Sequence, residues 1–188
     1  HAPDVLDLIE QEQVSFAAAA VSIGIDMIAA LKRQRRDISC LRGIMLGGSA
    51  TPAAVMEYFA SEFGVPVFTA WGSTEMTPLA TCVHIPRALV DAPIVQQIPT
   101  RVRQGIPCPG SEVRVLDEDG GEIAWDDHAM GEIYVRTPWS VTEYFEDPRT
   151  QDGFVDGWWK SGDISTVNAS GVLRLVDRAK DLIKSGGE

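Results

Sequence analysis

Apolar residues recur along this chain with two different periods, and the change falls near Thr100. Upstream of it, Pro3 opens a helical pattern in which Val5, Leu6, Leu8 and Ile9 form the apolar side. VSFAAAA then reads as a buried strand. IDMIAALKRQ reads as a helix closing on Lys32, Arg33, Arg35 and Arg36, where cations suit the negative end of the helix dipole. LRGIMLGG is a strand ending in glycines. In SATPAAVMEYFASEFG, Thr51 is expected to cap a helix with Pro52 at its first position, Val55, Phe59 and Phe63 share one face, and Gly64 stops it. VPVFTAWG is the next strand. Strand, helix, strand with short connections predicts a parallel α/β layer.

Downstream of Thr100, short alternating runs are separated by Gly, Pro and Asp. EVRVLDEDGGEI is expected to fold as a hairpin around its Gly-Gly turn, and GEIYVRT and VLRLVDR as further strands, so this half predicts a small antiparallel β unit. The fold class is therefore α/β, a parallel layer followed by an antiparallel one. The division expected is an α/β portion over 1–100, a β-rich portion over 101–177 and a terminal segment over 178–188.

Composition narrows the function classes. Lys plus Arg total 16 against 27 for Asp plus Glu, a formal charge of −11. Such a surface repels a phosphate backbone, so nucleic acid is not the expected partner. The longest apolar run, FAAAAVSIGIDMIAAL, is short for a membrane span and is interrupted by Asp26. The polar opening HAPDVLDLIEQEQ carries no signal-peptide pattern. Cys40, Cys82 and Cys108 are widely spaced and odd in number, the usage of reduced thiols in a cytoplasmic protein.

Four stretches carry candidate chemistry. In TAWGSTEM, residues 69–76, a strand ends at an aromatic, turns at Gly72, and presents the Thr74 hydroxyl and the Glu75 carboxylate. The pair either caps a helix, through Ser73 or Thr74, or serves a nucleotide: Thr74 on a phosphate oxygen, Glu75 on Mg²⁺ and the Trp71 face on a purine. In LGGSATP, residues 46–52, glycines end a parallel strand, the edge at which open α/β sheets bind ligands; an ordinary tight loop would look the same. It is not a phosphate-binding loop of the Gly-Lys-Ser/Thr type. In DGWWKSGD, residues 156–163, Asp163 either sits in a turn between β elements or accepts both hydroxyls of a ribose. DRAKDLIKSGGE places Arg178 after a strand and two lysines beyond it, where a solvated charge run is the plainer alternative.

In this order, GGSATP, WGSTEM, WWKSGD and DRAKDLIKSGGE resemble the serial signatures of the adenylate-forming superfamily of acyl-CoA synthetases, luciferases and peptide-synthetase adenylation domains. Within it the chain is most similar to medium- and long-chain fatty acid–CoA ligases. The resemblance implies the middle of the large N-terminal domain up to the hinge, with the β-rich part a distorted, barrel-like subdomain. It implies an AMP-forming acid–thiol ligase acting on a fatty acid or similar carboxylic acid with ATP, Mg²⁺ and CoA. Residue by residue, it puts Gly47, Gly48 and Ser49 beside the adenine and acyl pocket, Trp71 and Gly72 against the purine, and Thr74 on the α-phosphate. Glu75 would bind Mg²⁺, while Asp163 and Arg178 would hold ribose and nucleotide. Lys180 would be the hinge to a further C-terminal domain, and Lys184 would act in thioester formation.

The departures are specific. Ser161 replaces a usual Thr, Glu143 stands where Gly is common before Tyr144–Phe145, and AAAAVSIG replaces a frequent Gly-Val-Pro-Thr pattern beside the acyl pocket, which leaves substrate size open. The family's Gly/Ser/Thr-rich phosphate loop and the lysine of its C-terminal domain have no counterpart in this sequence. The alternatives are thus a ligase for an aryl or short-chain acid, a carrier-loading enzyme, or a catalytically silent fragment, which could self-associate through surface exposed by truncation.

Overall fold

The structure is a computed structural model that describes residues 1–148 and 150–178. The chain divides into two compact units, residues 1–71 with 82–103, and residues 72–81 with 104 onward, so it passes from one to the other three times.

The first unit alternates helix and strand: α1 (Ala2–Gln11), β1 (Phe16–Ala20), α2 (Val21–Arg33), β2 (Gly43–Gly47), α3 (Ala53–Phe63) and β3 (Val67–Trp71). β1 pairs with β2 and β2 with β3, both parallel, as the strand–helix–strand pattern requires. The core lies between this layer and its helices. Leu6 and Ile9 of α1, Met27 and Leu31 of α2, and Val55, Met56 and Phe59 of α3 pack with Ile44, Leu46 and Val67. Phe59 is wholly buried, whereas Leu8, read with the apolar side of α1, is 55% exposed. Two helix starts differ from expectation. α2 begins at Val21, directly after β1, and α3 is capped by Pro52 with no side-chain hydrogen bond, so the buried Thr51 hydroxyl does not cap it. Gly64 ends α3 in the left-handed region, φ 65°, and its N–H returns to the carbonyls of Phe59 and Ala60.

The last helix of this unit, α4 (Ile94–Arg101), ends on a buried arginine. The Arg101 guanidinium donates to Gln97 Oε1 and to the Val67 carbonyl and lies 4.8 Å from the Phe68 ring centre. It fastens α4 to the strand that carries Trp71. The Thr69 hydroxyl, with a single hydrogen to donate, lies within bonding reach of the carbonyls of both Arg101 and Arg103.

Between the units the two-residue strand β4 (Thr81–Cys82) marks a crossing of the chain, and β5 (Ile106–Pro107) follows α4. The second unit is built on an antiparallel sheet of β6 (Glu112–Leu116), β7 (Gly131–Arg136), β9 (Trp158–Val167) and β10 (Leu173–Arg178), in the order β10-β9-β7-β6. A short helix α5 (Thr150–Gly153) leads into β8 (Phe154–Val155), which pairs with β9. The expected Gly-Gly turn forms, with Asp117 N–H on the Gly121 carbonyl, but its return strand is a single bridge, Leu116 to Glu122. The true partner of β6 is β7. Gly131 explains the close fit: a Cβ there would come within 2.5 Å of the Leu116 carbonyl oxygen. Trp158 is clamped by Arg114 and Arg136, each 4.6 Å from its ring centre.

The three cysteines are free, and no helix among the described residues is long and apolar enough to cross a membrane.

Candidate active site

The turn after β3 is shaped by one residue with no side chain. A Cβ at Gly72 would overlap the carbonyl oxygen of Pro78, so the backbone of this turn folds back on itself where only glycine fits. Ser73 then starts a single 3₁₀ turn, Thr74–Met76, in which Met76 is buried and Thr74 faces solvent. Ser73 occupies the capping position but makes no side-chain hydrogen bond there, so of the two readings of this stretch side-chain capping is the one not realised.

Glu75 is half-buried and held from two sides by one loop. Its backbone carbonyl accepts the Val141 N–H at 3.0 Å, and its Oε1 accepts the Tyr144 hydroxyl at 2.9 Å. Two residues further, the Thr77 hydroxyl donates to the Trp139 carbonyl at 3.0 Å. Burial is the largest single influence on the Glu75 carboxyl and disfavours its charge. Its own N–H, the nearby Ser73 hydroxyl and the Tyr144 hydroxyl together outweigh that burial and leave the group below the usual carboxylate range. The Ser73 oxygen acts here by proximity, since it is buried without a hydrogen bond of full geometry.

Tyr144 is itself anchored. Its hydroxyl accepts the Trp159 indole N–H at 3.1 Å, its N–H donates to Thr150 Oγ1 at 2.8 Å, and its ring packs edge-on against Phe154, centroids 5.6 Å apart. WGSTEM and WWKSGD, far apart in sequence, are joined through this one phenol. The sequence reading missed Tyr144 as a site residue. Nothing local in the segment around it signals a partner 69 residues away.

WWKSGD is a strand, not a turn: it opens β9, while the turn lies just before it at Asp156 and Gly157. Asp163 nonetheless sits at an irregularity. Glu132 pairs with Ile164 and Tyr134 with Lys160, so β7 spends only Ile133 where β9 spends Ser161, Gly162 and Asp163. Gly162 takes up the bulge in the left-handed region, φ 71°; its N–H is fixed by Glu132 Oε1 and the Asp163 N–H by Ser161 Oγ, both at 3.0 Å. On its other flank β9 faces β10, which carries its own extra residue, Val176. Beyond it, Arg178 is the register partner of Asp163. Two residues singled out from separate stretches thus stand opposite each other across one ladder. Arg178 is the last residue of β10 and not a residue beyond it.

In the first unit, Gly47 closes β2 and Gly48 follows at φ 84°; a Cβ at either would meet open space, and Ser49 is exposed. The carboxyl end of β2 is thus clear for a ligand. Trp71 ends β3 with 5% of its surface exposed, so little of its face is open. Lys180 and Lys184 lie outside the described residues.

Among the described residues no group of three or more His, Cys, Asp or Glu side chains gathers as a metal cage. A hard divalent cation shared with substrate phosphates needs only one or two carboxylates. Glu75, half-buried and favoured as its anion, fits that donor requirement.

Comparison with known proteins shows which proteins the chain is similar to. A family model described as "AMP-binding enzyme" matches residues 1–145. The chain is 33% identical, over all of its length and 35% of the relative's, to a 3-methylmercaptopropionyl-CoA ligase of Ruegeria lacuscaerulensis. It is 34% identical, over 96% of its length and 33% of the relative's, to a medium-chain-fatty-acid–CoA ligase of Ectopseudomonas oleovorans. A solved structure of Bacillus subtilis o-succinylbenzoate coenzyme A synthetase in complex with ATP and magnesium ion superposes with a TM-score of 0.81 at 27% identity, over 100% of this chain and 36% of that one. The chain therefore spans about a third of the length of the curated relatives it matches.

Proposed function

Because the chain belongs to the AMP-binding enzyme family, we propose that it forms the nucleotide-handling part of an ATP-dependent acid–thiol ligase whose acid is a fatty acid. The observation that carries this reading is Asp163, raised on a glycine-containing bulge and in register with Arg178. A carboxylate fixed at such a bulge is suited to accept both hydroxyls of a ribose, with a cationic neighbour for the nucleotide's negative charge.

In this reading a carboxylate oxygen of the acid attacks the α-phosphorus of ATP, the bond to the β-phosphate breaks, and pyrophosphate leaves. The sulfur of CoA then attacks the acyl carbonyl of the adenylate, giving the thioester and releasing AMP. No side chain of this protein becomes acylated. Thr74, exposed on its turn, donates to an α-phosphate oxygen. Trp71 and Gly72 flank the purine, Gly72 through the tight turn it permits against Pro78, and Gly47, Gly48 and Ser49 leave room for adenine and acyl group. Glu75 holds Mg²⁺, which when bound offsets the negative charge that gathers on the phosphates. Lys180 serves as the hinge and Lys184 promotes the thioester step. Reduced thiols and the acidic surface agree with a cytoplasmic enzyme whose partners are carboxylic acid, ATP and CoA.

A second reading keeps the chemistry and changes the acid. The 33% identity to a 3-methylmercaptopropionyl-CoA ligase favours a short carboxylate at least as directly as the fatty-acid relative favours a long one. Acid-dependent exchange of pyrophosphate into ATP decides both, using the full-length polypeptide and a panel of short, aryl, medium and long acids. Exchange rising with chain length supports the fatty acid, exchange with short or aryl acids alone supports the second reading, and exchange with none overturns both. Lys184→Ala is expected to slow thioester formation more than adenylate formation.

A further inference from the structure

Resting on the reading above, we propose that Tyr144 is a positioning residue for Glu75, and that the bond from Trp159 to Tyr144 sets the direction in which the phenol donates. Three observations carry this. A carboxylate on a one-turn 3₁₀ segment has rotatable bonds that its own turn does not restrain. Here one of its oxygens is fixed by a phenol at 2.9 Å while its carbonyl is fixed by Val141 at 3.0 Å, so the 141–144 segment grips both ends of the residue. A phenolic hydroxyl can donate one hydrogen only. Because the Trp159 N–H is a donor and nothing else, its bond to Tyr144 Oη at 3.1 Å occupies a lone pair and commits that hydrogen to Glu75. The Tyr144 backbone is pinned by Thr150 Oγ1, which accepts its N–H at 2.8 Å and donates to its carbonyl at 3.1 Å, and its ring packs edge-on against Phe154.

The phenol engages Oε1 and leaves the carboxylate lone pairs for a cation. Such outer partners orient a ligand and raise its value as a donor, and their loss commonly costs about 10- to 100-fold in metal affinity. The ligand class is a hard divalent cation bridged to nucleotide phosphate. In this reading Tyr144 acts on the cation only through Glu75.

The test uses the full-length polypeptide and three variants: Glu75→Gln, Tyr144→Phe and Trp159→Phe. Binding of Mn²⁺ in the presence of ATP is followed by electron paramagnetic resonance, and thermal stability is followed alongside. Glu75→Gln is expected to abolish tight nucleotide-dependent Mn²⁺ binding. Tyr144→Phe is expected to weaken it about 10- to 100-fold, and Trp159→Phe by less, with ATP affinity in the absence of the metal unchanged in both. If Glu75→Gln binds Mn²⁺ as the parent does, the assignment of the metal to Glu75 fails, and this inference with it. If Glu75→Gln fails to bind but Tyr144→Phe binds normally, the metal assignment survives and the positioning role is overturned. A fall in melting temperature in Tyr144→Phe with unchanged Mn²⁺ affinity identifies the phenol as a packing element only, and also overturns it.

Discussion

At the scale of single residues, the site depends on what is absent from one position and present at another. Gly72 has no substitute, because the first carbon of any side chain overlaps the Pro78 carbonyl oxygen. Backbone cannot yield as the end of a flexible side chain can, so Gly72→Ala is expected to destabilise by about 1–3 kcal/mol, the range of overpacked sites, with a matching drop in denaturation midpoint. An alanine variant as stable as the parent would show that the turn opens freely. Asp163 makes a contrasting prediction. Its bulge is shaped by Gly162 and Ser161, so Asp163→Ala should leave the fold in place while lowering exchange in the full-length polypeptide about 10- to 100-fold, the size of a lost hydrogen bond to a charged group. Equal losses of stability and exchange would make Asp163 a structural residue instead.

At the scale of elements, the second unit has a handle on pH. Glu112 and Arg136 are register partners on β6 and β7, with two N–H to carboxylate bonds at 3.1 and 2.7 Å. The Arg136 hydrogen bond holds the Glu112 carboxyl below its usual range. A depressed carboxylate contributes stability above its unfolded value and loses it as pH falls through the lowered folded value. Unfolding monitored below neutral pH should therefore show a small acid limb that Glu112→Gln flattens. The pair is exposed, so high salt should shrink the same limb. The first unit is governed by burial instead: Phe59→Ala is expected to cost about 3–5 kcal/mol, read as a shift in urea midpoint at unchanged slope.

These elements also show how far sequence carries. β2, β3, α1 and α3 are legible because their apolar residues meet local stops such as Gly64, whereas β1, expected as a buried strand, has no buried residue and leaves Phe16 49% exposed, because an unbroken apolar run does not say which face is covered. The hairpin at Asp117–Gly121 was legible only as a turn, because a Gly-Gly turn does not say how far its strands continue. The WWKSGD bulge was hidden for a related reason. Extra residues in a ladder are defined by what the neighbouring strands do, and those lie elsewhere in the chain. Glu75 and Asp163 could be picked out by motif, whereas Tyr144 could not, since its meaning comes wholly from a contact 69 residues away.

At the scale of the whole molecule, the chain makes about a third of its curated relatives. Its sequence contains no Gly/Ser/Thr-rich loop followed by lysine. The isolated 188-residue polypeptide is therefore expected to give no acid-dependent pyrophosphate exchange, in contrast to what the proposed reading expects of a longer polypeptide that contains it. Exchange by the short polypeptide would mean that these residues alone suffice to bring acid and α-phosphate together.

The threefold crossing between units has a consequence for anyone who would dissect the gene. Residues 72–81 belong with 104 onward, yet are separated from them by residues of the other unit. A cut between Arg103 and Gln104 looks natural on a linear map, but it takes Glu75 away from the Tyr144 hydroxyl and the Val141 N–H, and strips the Ala80 carbonyl from the Cys108 N–H. No single scission yields two intact halves. Expressing 104 onward by itself calls for a graft, with 72–81 rejoined through an artificial linker, and a library of truncations is expected to recover the second unit only where that decapeptide travels with its distant neighbours.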